Sequence, residues 1–403
     1  MPWQLCLSWA NDALIALPHP ALTQIRVSID NEPLHFPNRW RIGLSSLLFG
    51  AVAVRPFVDV VLTSSPQPGL EVSYAWDINA SASYPELSLI MAALSAGPVG
   101  IGDAIGLTNV SLTLAACRSD GVLLRPSAPA VFLDSQFRSD AFGGSVPALP
   151  GTAFQAHSFV PAAMGADAGA AFDFATVLVV DAGEPRVIVP ADLSPPLPAA
   201  GGGPVALPHA RALTLSRRTA PILSQPALSG EYIVLGWSAG LHALSTACAD
   251  GAPAAPCLAL VSAARPLSLA PGPGGGPGGG DAFAHDLEIA SLAPVLASGW
   301  ALVGEIAKVV RVSPDRFASV GAQARSGGPG LAFDVMLAAN EAADVLVLAP
   351  AAGGGGSPLD GTLVRVRVAS AAGAEGTVSV DCAADAAGAP SCRVHTWEIG
   401  HEK

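Results

Sequence analysis

The chain has 403 residues, of which 51% are hydrophobic and 13% charged, with 43 Gly and 36 Pro. That length suits about two or three domains, and so low a charge excludes a solvated coiled coil or a polyelectrolyte tail. With 20 basic against 32 acidic side chains the net charge is −12, which argues against nucleic acid and against an anionic membrane surface as partners.

Taken in chain order, the first ~135 residues alternate short β-like runs with helical windows. Gln4 to Ser8 reads as a first strand. Thr23 to Asp30 alternates apolar and polar residues at period two, and Ile42, Leu44, Leu47 and Leu48 follow at helical spacing. Val58 to Leu62 is a β-branched run whose helix opens at Pro85-Glu86 and extends through Leu87, Leu89, Ile90 and Leu94 to Gly97-Pro98. A last run, Val99 to Ile101, ends at Gly102-Asp103, with Val110 to Ala116 as its helix. These amount to about four β/α units of a parallel arrangement.

From residue 136 to 403 the rhythm is of strands without a convincing long helix, the pattern of an antiparallel β-sandwich. Phe174 to Val180 and Arg186 to Val189 flank the turn Asp181 to Pro185 and predict a hairpin. Tyr232–Trp237, Asp344–Leu348, Leu363–Val368 and Thr377–Val380 continue the series. The Gly/Pro-rich stretch 271–280 reads as a flexible insertion, and Gly201–Gly203 and Gly353–Gly356 as loops.

A mean hydropathy of +0.47 raises the question of membrane insertion. A spanning helix needs ~20 apolar residues, but Arg55-Pro56 interrupts the run from Leu47, and Gly97-Pro98 and Asp103 interrupt the run from Leu87. No transmembrane helix is expected. The N-terminus lacks a basic n-region and meets Asn11-Asp12 early, so no signal peptide is read there, and cytoplasmic and secretory locations both stay open. The close pairs Cys248/Cys257 and Cys382/Cys392 flank turn-like segments, so each is either a hairpin-bridging disulfide or two free thiols in small-residue loops. The sequons at Asn79 and Asn109 are compatible with secretion and do not decide it. The histidines at 19, 35, 157, 209, 242, 285, 395 and 401 lack ligand spacing, so neither a metal nor a cofactor is expected. Gly236-Trp237-Ser238-Ala239-Gly240 imitates a nucleophile elbow but no helical pattern follows it.

In a parallel β/α arrangement, side chains at the C-terminal strand ends converge on one site. Those ends carry Ser8 to Asp12, Asp30, Asp59 and Asp103. An Asp in such a loop is also a common helix cap, but acids facing one pocket suit sugar hydroxyls and general acid catalysis.

The segments Cys6–Leu14, Arg26–Asp30, Arg55–Asp59, Ser95–Asp103 and Asp120–Arg125, in that order and approximate spacing, resemble the second half of raffinose synthase and α-galactosidase-like glycoside hydrolases, family 36 and its clan. Gly304-Glu305 and Val312–Phe317 fall where such proteins carry a C-terminal β-domain. The resemblance implies a partial (β/α)8 TIM barrel over residues 1–135 followed by a β-sandwich over 136–403. It implies Asp30 as the catalytic acid/base, with Arg26, Asp59, Asp103, Asp12 and Trp9 in the substrate pocket and Trp9 stacking on a sugar ring. Ile29 replaces the first of two adjacent acids usual in that family, and Phe57 and Val58 replace a more polar and aromatic pair. A retaining glycosidase needs a second carboxylate ~5–5.5 Å from the acid/base, which the family places in a Lys-x-Asp motif. No Lys-x-Asp occurs in this chain. The expectation is therefore a glycoside hydrolase or galactosyl transferase for α-linked galactosides of the raffinose family, incomplete because the nucleophile-bearing half is absent: the chain reads as a fragment, a truncated gene model or a degenerate paralogue, with an N-terminal half of the barrel as a candidate partner. The alternative is a non-catalytic carbohydrate-binding or surface β-protein.

Overall fold

The computed structural model describes residues 3–6, 10–28, 43–64, 85–142, 152–163, 171–180, 186–188, 192–193, 228–237, 251–262, 265–269, 287–324, 329–352, 356–370, 375–385 and 388–396. The insertion at 271–280, the Gly201–Gly203 loop, Cys248, Asn79 and most of the elbow-like segment lie outside them.

The chain opens with β1 (Trp3–Leu5), α1 (Ala10–Ala16), β2 (Leu22–Arg26), α2 (Gly43–Ala51) and β3 (Arg55–Phe57). The strands form a three-stranded parallel sheet in sequence order. The parallel arrangement goes no further. The expected strand at Val99–Ile101 makes only an isolated bridge between Ile101 and Val61, and the Val58–Leu62 run begins after β3 has ended. The half-barrel of four β/α units is thus corrected: the described structure is mostly β-strand in several small, chiefly antiparallel sheets, and it is not a TIM barrel.

Two helices carry the chain away from the parallel layer, α3 (Pro85–Leu94) and α4 (Val110–Leu114). Pro85 and Glu86 open α3 as first-turn residues should, but Leu87 to Leu94 are all buried, so it is not amphipathic. A helix apolar all round belongs inside a core. Its neighbours are Val58 and Val61 on one side and Phe132, Phe154, Leu178 and Ile289 on the other. At its C-terminal end Gly97 lies against β3, where a Cβ would stand 2.1 Å from the Pro56 carbonyl oxygen.

Next come β4 (Ala128–Phe132), α5 (Asp134–Ala141), β5 (Thr152–Pro161), β6 (Ala171–Val180), β7 (Arg186–Ile188), β8 (Leu228–Trp237), β9 (Ala259–Val261), β10 (Leu267–Leu269) and β11 (Leu287–Leu296). A six-stranded antiparallel sheet has the order β4-β5-β6-β11-β8-β9, and β7 pairs with β10 in a separate ladder. The expected hairpin between the 174–180 and 186–189 runs does not form, because both edges of β6 are taken by β5 and β11. Every residue of β6 is buried, which its nearly continuous apolar run permits in a sheet covered on both faces.

The remaining strands are β12 (Ala301–Glu305), β13 (Phe317–Gln323), β14 (Pro329–Leu337), β15 (Ala342–Ala349), β16 (Thr362–Ala369), β17 (Gly376–Ala384) and β18 (Pro390–Thr396). They form a three-stranded sheet, β12-β15-β16, and a four-stranded sheet, β13-β14-β17-β18. One apolar core joins the two sheets through Leu302, Val345, Leu348 and Val366 on one side and Phe317, Phe333, Val335 and Val380 on the other. The same core reaches Phe172, Phe174, Ile233 and Val295 of the six-stranded sheet. In β16 the Val-Arg alternation buries Val366 and Val368 and exposes Arg367, whose Nη1 pairs at 3.6 Å with Asp344 directly opposite on β15. Cys382 and Cys392 form a disulfide across opposed positions of β17 and β18, with Cα atoms 4.0 Å apart. Cys257 is also disulfide-bonded. No helix among the described residues is long and apolar enough to cross a membrane.

Candidate functional site

The parallel register sets Arg26 beside Phe57, so the end of β2 lies next to the segment leaving β3. Arg26 Nη1 meets Asp59 Oδ1 at 3.1 Å with both side chains largely buried. The Asp59 backbone N–H donates to Ser28 Oγ at 2.8 Å. Asp103 serves the next connection: its Oδ1 accepts from the Thr63 backbone N–H at 2.7 Å, its Oδ2 accepts from the Thr63 hydroxyl, and Thr63 Oγ1 accepts from the Asn109 N–H at 2.7 Å. Arg26 and Asp59 are therefore brought together. Their pairing, like the Thr63–Asp103 clasp, ties neighbouring connections to one another. Asp12 stands exposed in the first turn of α1. Asp30 and Trp9 lie outside the described residues.

Two charged clusters escaped the sequence reading. Arg316, 1% exposed, gives Nε to Glu305 Oε2 at 2.9 Å and a two-pronged contact at 2.8 Å to both oxygens of Glu341. Glu341 also accepts the N–H groups of Ala338 and Ser119 at 2.8 and 3.0 Å. Although burial alone would raise the Glu341 pKa, the Arg316 guanidinium and these N–H donors hold it at about 2. Burial raises that of Glu305 against the pull of Arg316 and Lys308. Lys308 Nζ donates to the Leu114 and Cys117 carbonyls at 2.7 and 2.9 Å. Arg118 bridges Asp120 at 2.5 Å and Glu375 at 2.6 Å. The cluster clamps residues 114–120 onto the sandwich.

The second lies on the six-stranded sheet. Among the scattered histidines, His157 is 2% exposed, and its Nδ1 faces both oxygens of Asp173 at 2.9 and 3.0 Å. Its Nε2 lies 3.2 Å from Gln155 Oε1, and Gln155 Nε2 donates to the Phe132 carbonyl at 3.0 Å. Burial, and then the charge of Asp173, pushes the Tyr232 phenol above its ordinary pKa. Period-two spacing puts Gln155 and His157 on one face, but only the pairing of β5 with β6 brings Asp173 to them.

One open recess has the chemistry of a ligand site. α5 follows β4 after a single residue, and the i, i+3, i+4 spacing of Asp134, Phe137 and Arg138 places them on one side of the helix. With Asp192 they line a cleft of about 400 Å3. Arg138 Nη2 stands 3.9 Å from Asp192 Oδ1. Desolvation raises the pKa of Asp134, opposed by Arg138 and reinforced by Asp192. Phe137 is braced edge-on by Phe132, with centroids 5.4 Å apart. Two carboxylates accept hydrogen bonds, a guanidinium donates them, and an aromatic ring offers an apolar face; together these suit a polyhydroxylated ring. The spacing was legible in the sequence, but no pattern there announced Asp192. Among the described residues no three His, Cys, Asp or Glu side chains gather to hold a metal.

No protein-family model matches the chain, and neither does any curated protein sequence.

Proposed function

We propose that the chain is a non-catalytic carbohydrate-binding β-protein whose ligand occupies the α5 cleft. The observation that carries this reading is the joint lining of that cleft by Phe137, Asp134, Arg138 and Asp192, an aromatic face beside acceptors and a donor. The sequence resemblance to raffinose synthase and α-galactosidase-like proteins favours α-linked galactosides as the ligand class. The glycosidase reading drew its structural basis from the barrel, which is replaced by antiparallel sheets, and both Asp59 and Asp103 are engaged in internal contacts.

Titration calorimetry of the whole chain with raffinose and melibiose tests the proposal. Saturable binding is expected, weakened about tenfold or more, a loss of ~1.4 kcal/mol, in Phe137→Ala and in Asp134→Asn. Binding unchanged in both variants, or none in the parent, overturns the assignment. Release of an aryl group from an aryl α-galactoside, lost in Asp30→Asn, would restore the enzyme reading in its place.

A further inference from the structure

The loop leading into α4 carries a sequence motif that the α5 cleft leaves unused. Residues 103–109 are closed on Thr63, because Asp103 accepts the Thr63 backbone N–H at 2.7 Å and the Asn109 N–H donates to Thr63 Oγ1 at 2.7 Å. The Ser64 hydroxyl adds a second tie, donating to the Leu107 carbonyl at 2.5 Å. At the end of this loop stands Asn109-Val110-Ser111, an acceptor sequon for N-linked glycan, whose middle residue is not proline. All three residues are exposed. Asn109 thus sits on a loop fixed from beneath and open above.

The two ends of the Asn109 amide are used differently. Its Oδ1 accepts the Leu112 N–H at 3.1 Å, and its carbonyl accepts the Thr113 N–H and hydroxyl, both at 3.0 Å. Its Nδ2 has no hydrogen-bond partner among the described residues. Exchanging one of the two Nδ2 hydrogens for a sugar carbon therefore leaves every one of these contacts in place. The surrounding surface gives the exchange a physical consequence. Ile105, Leu107, Val110 and Leu114 are exposed, Val110 at 63% and Ile105 completely. Apolar groups clustered in this way favour association with other surfaces, and a bulky hydrated oligosaccharide beside them opposes it. The bridge between Cys382 and Cys392 and the disulfide of Cys257 belong to an oxidising compartment, the kind in which N-linked glycans are attached.

We propose that Asn109 is the acceptor of an N-linked oligosaccharide that shields the apolar surface around α4. The donor class is an oligosaccharide carried on a polyisoprenyl pyrophosphate. In the transfer the anomeric C–O bond breaks, the bond from Nδ2 to the anomeric carbon forms, Nδ2 gives up one proton to a base, and the lipid pyrophosphate leaves with the bonding pair. Ser111 supplies the hydroxyl that the sequon requires two residues after the acceptor.

Expression of the full chain behind a cleavable secretory leader in cultured animal cells tests the site, with intact-mass measurement of the chain recovered from the microsomal lumen and the medium. Asn79→Gln serves as the background, because it removes the other sequon. The expected result is the added mass of a whole oligosaccharide, removed by peptide:N-glycosidase with conversion of residue 109 to aspartate. Asn109→Gln and Ser111→Ala should each abolish that mass. Ser111→Thr keeps the hydroxyl and should retain it, which separates loss of the sequon from a general effect of substitution in this loop. A lumenal chain whose Asn109 is unmodified both in the background and in Ser111→Thr overturns the proposal, and so does an added mass that survives Asn109→Gln.

Discussion

The parallel layer of β1–β3 and the sandwich of β12–β18 are built from similarly short apolar runs, yet they bury them to different degrees. Among the described residues the layer's own core rests on Ile25, Phe49 and Val54, with partly buried Leu5, Leu22 and Leu48 packed against them, and Trp3, Leu14 and Ile15 are 51%, 48% and 74% exposed. In the sandwich, two sheets face each other and the six-stranded sheet closes one end, so Phe317, Phe333, Leu331 and Val345 are wholly buried. A fully buried side chain of this kind contributes ~1.5–3 kcal/mol. The layer has one face on which to collect that stabilisation and the sandwich has several. The sandwich also concentrates paired charge in its Arg316 cluster and pins its edge strand with a disulfide.

Removing the central cation should break this contrast most sharply. Arg316→Ala leaves Glu305 and Glu341 buried together, and a loss of about 3–5 kcal/mol is expected in urea denaturation. Nearly as large an effect should follow Phe333→Ala, where a rigid surround leaves a cavity costing ~3–5 kcal/mol. Phe49→Ala in the parallel layer should fall below ~3 kcal/mol, because so small a core can collapse around the gap. Equal losses in the two variants would show that the layer is packed as tightly as the sandwich.

Replacing both Cys382 and Cys392 by alanine opens a loop of sequence separation 10, for which the chain-entropy account gives a loss of ~2–3 kcal/mol. Dithiothreitol should lower the Tm of the parent by more than that of the double variant, in which only the bond of Cys257 remains to be reduced.

The smallest effects separate by pH. Glu341 has a folded-state pKa of about 2, below its ordinary 4.5. Its contribution is therefore present above pH 4.5 and is lost as the pH falls from there towards 2. Glu288 on β11 is the reverse case. Burial raises its pKa to about 7, and among the described residues its Oε2 has no hydrogen-bond partner. With its folded value raised, stability is fully present below pH 4.5 and is lost as the pH climbs through 7. Glu288→Gln should thus raise the Tm at pH 8 and leave it nearly unchanged at pH 4.5, read by calorimetric scans at the two pH values. No gain at pH 8 would mean that the carboxyl is solvated and its pKa ordinary.

Local chemistry decided much of what these elements are. Pro85-Glu86 marked the start of α3, the period-two pattern marked β16, and the turn-flanking cysteines allowed the bridge that Cys382 and Cys392 make. The candidate site was not read from the sequence: Asp134, Phe137 and Arg138 have the spacing of one helical face, but strands were expected there, and Arg26 and Asp59, expected to line a sugar pocket, pair with each other instead. Tertiary structure alone decided which strands became neighbours. Nothing near Val180 says that β6 will lie between β5 and β11 while β7 pairs with β10, and nothing near Ile101 says that it will form a bridge rather than a strand. Helix caps and alternation act over a few residues. Sheet order is set by which distant apolar faces bury each other best, so Asp192 joins the α5 helix only once distant parts of the chain have packed.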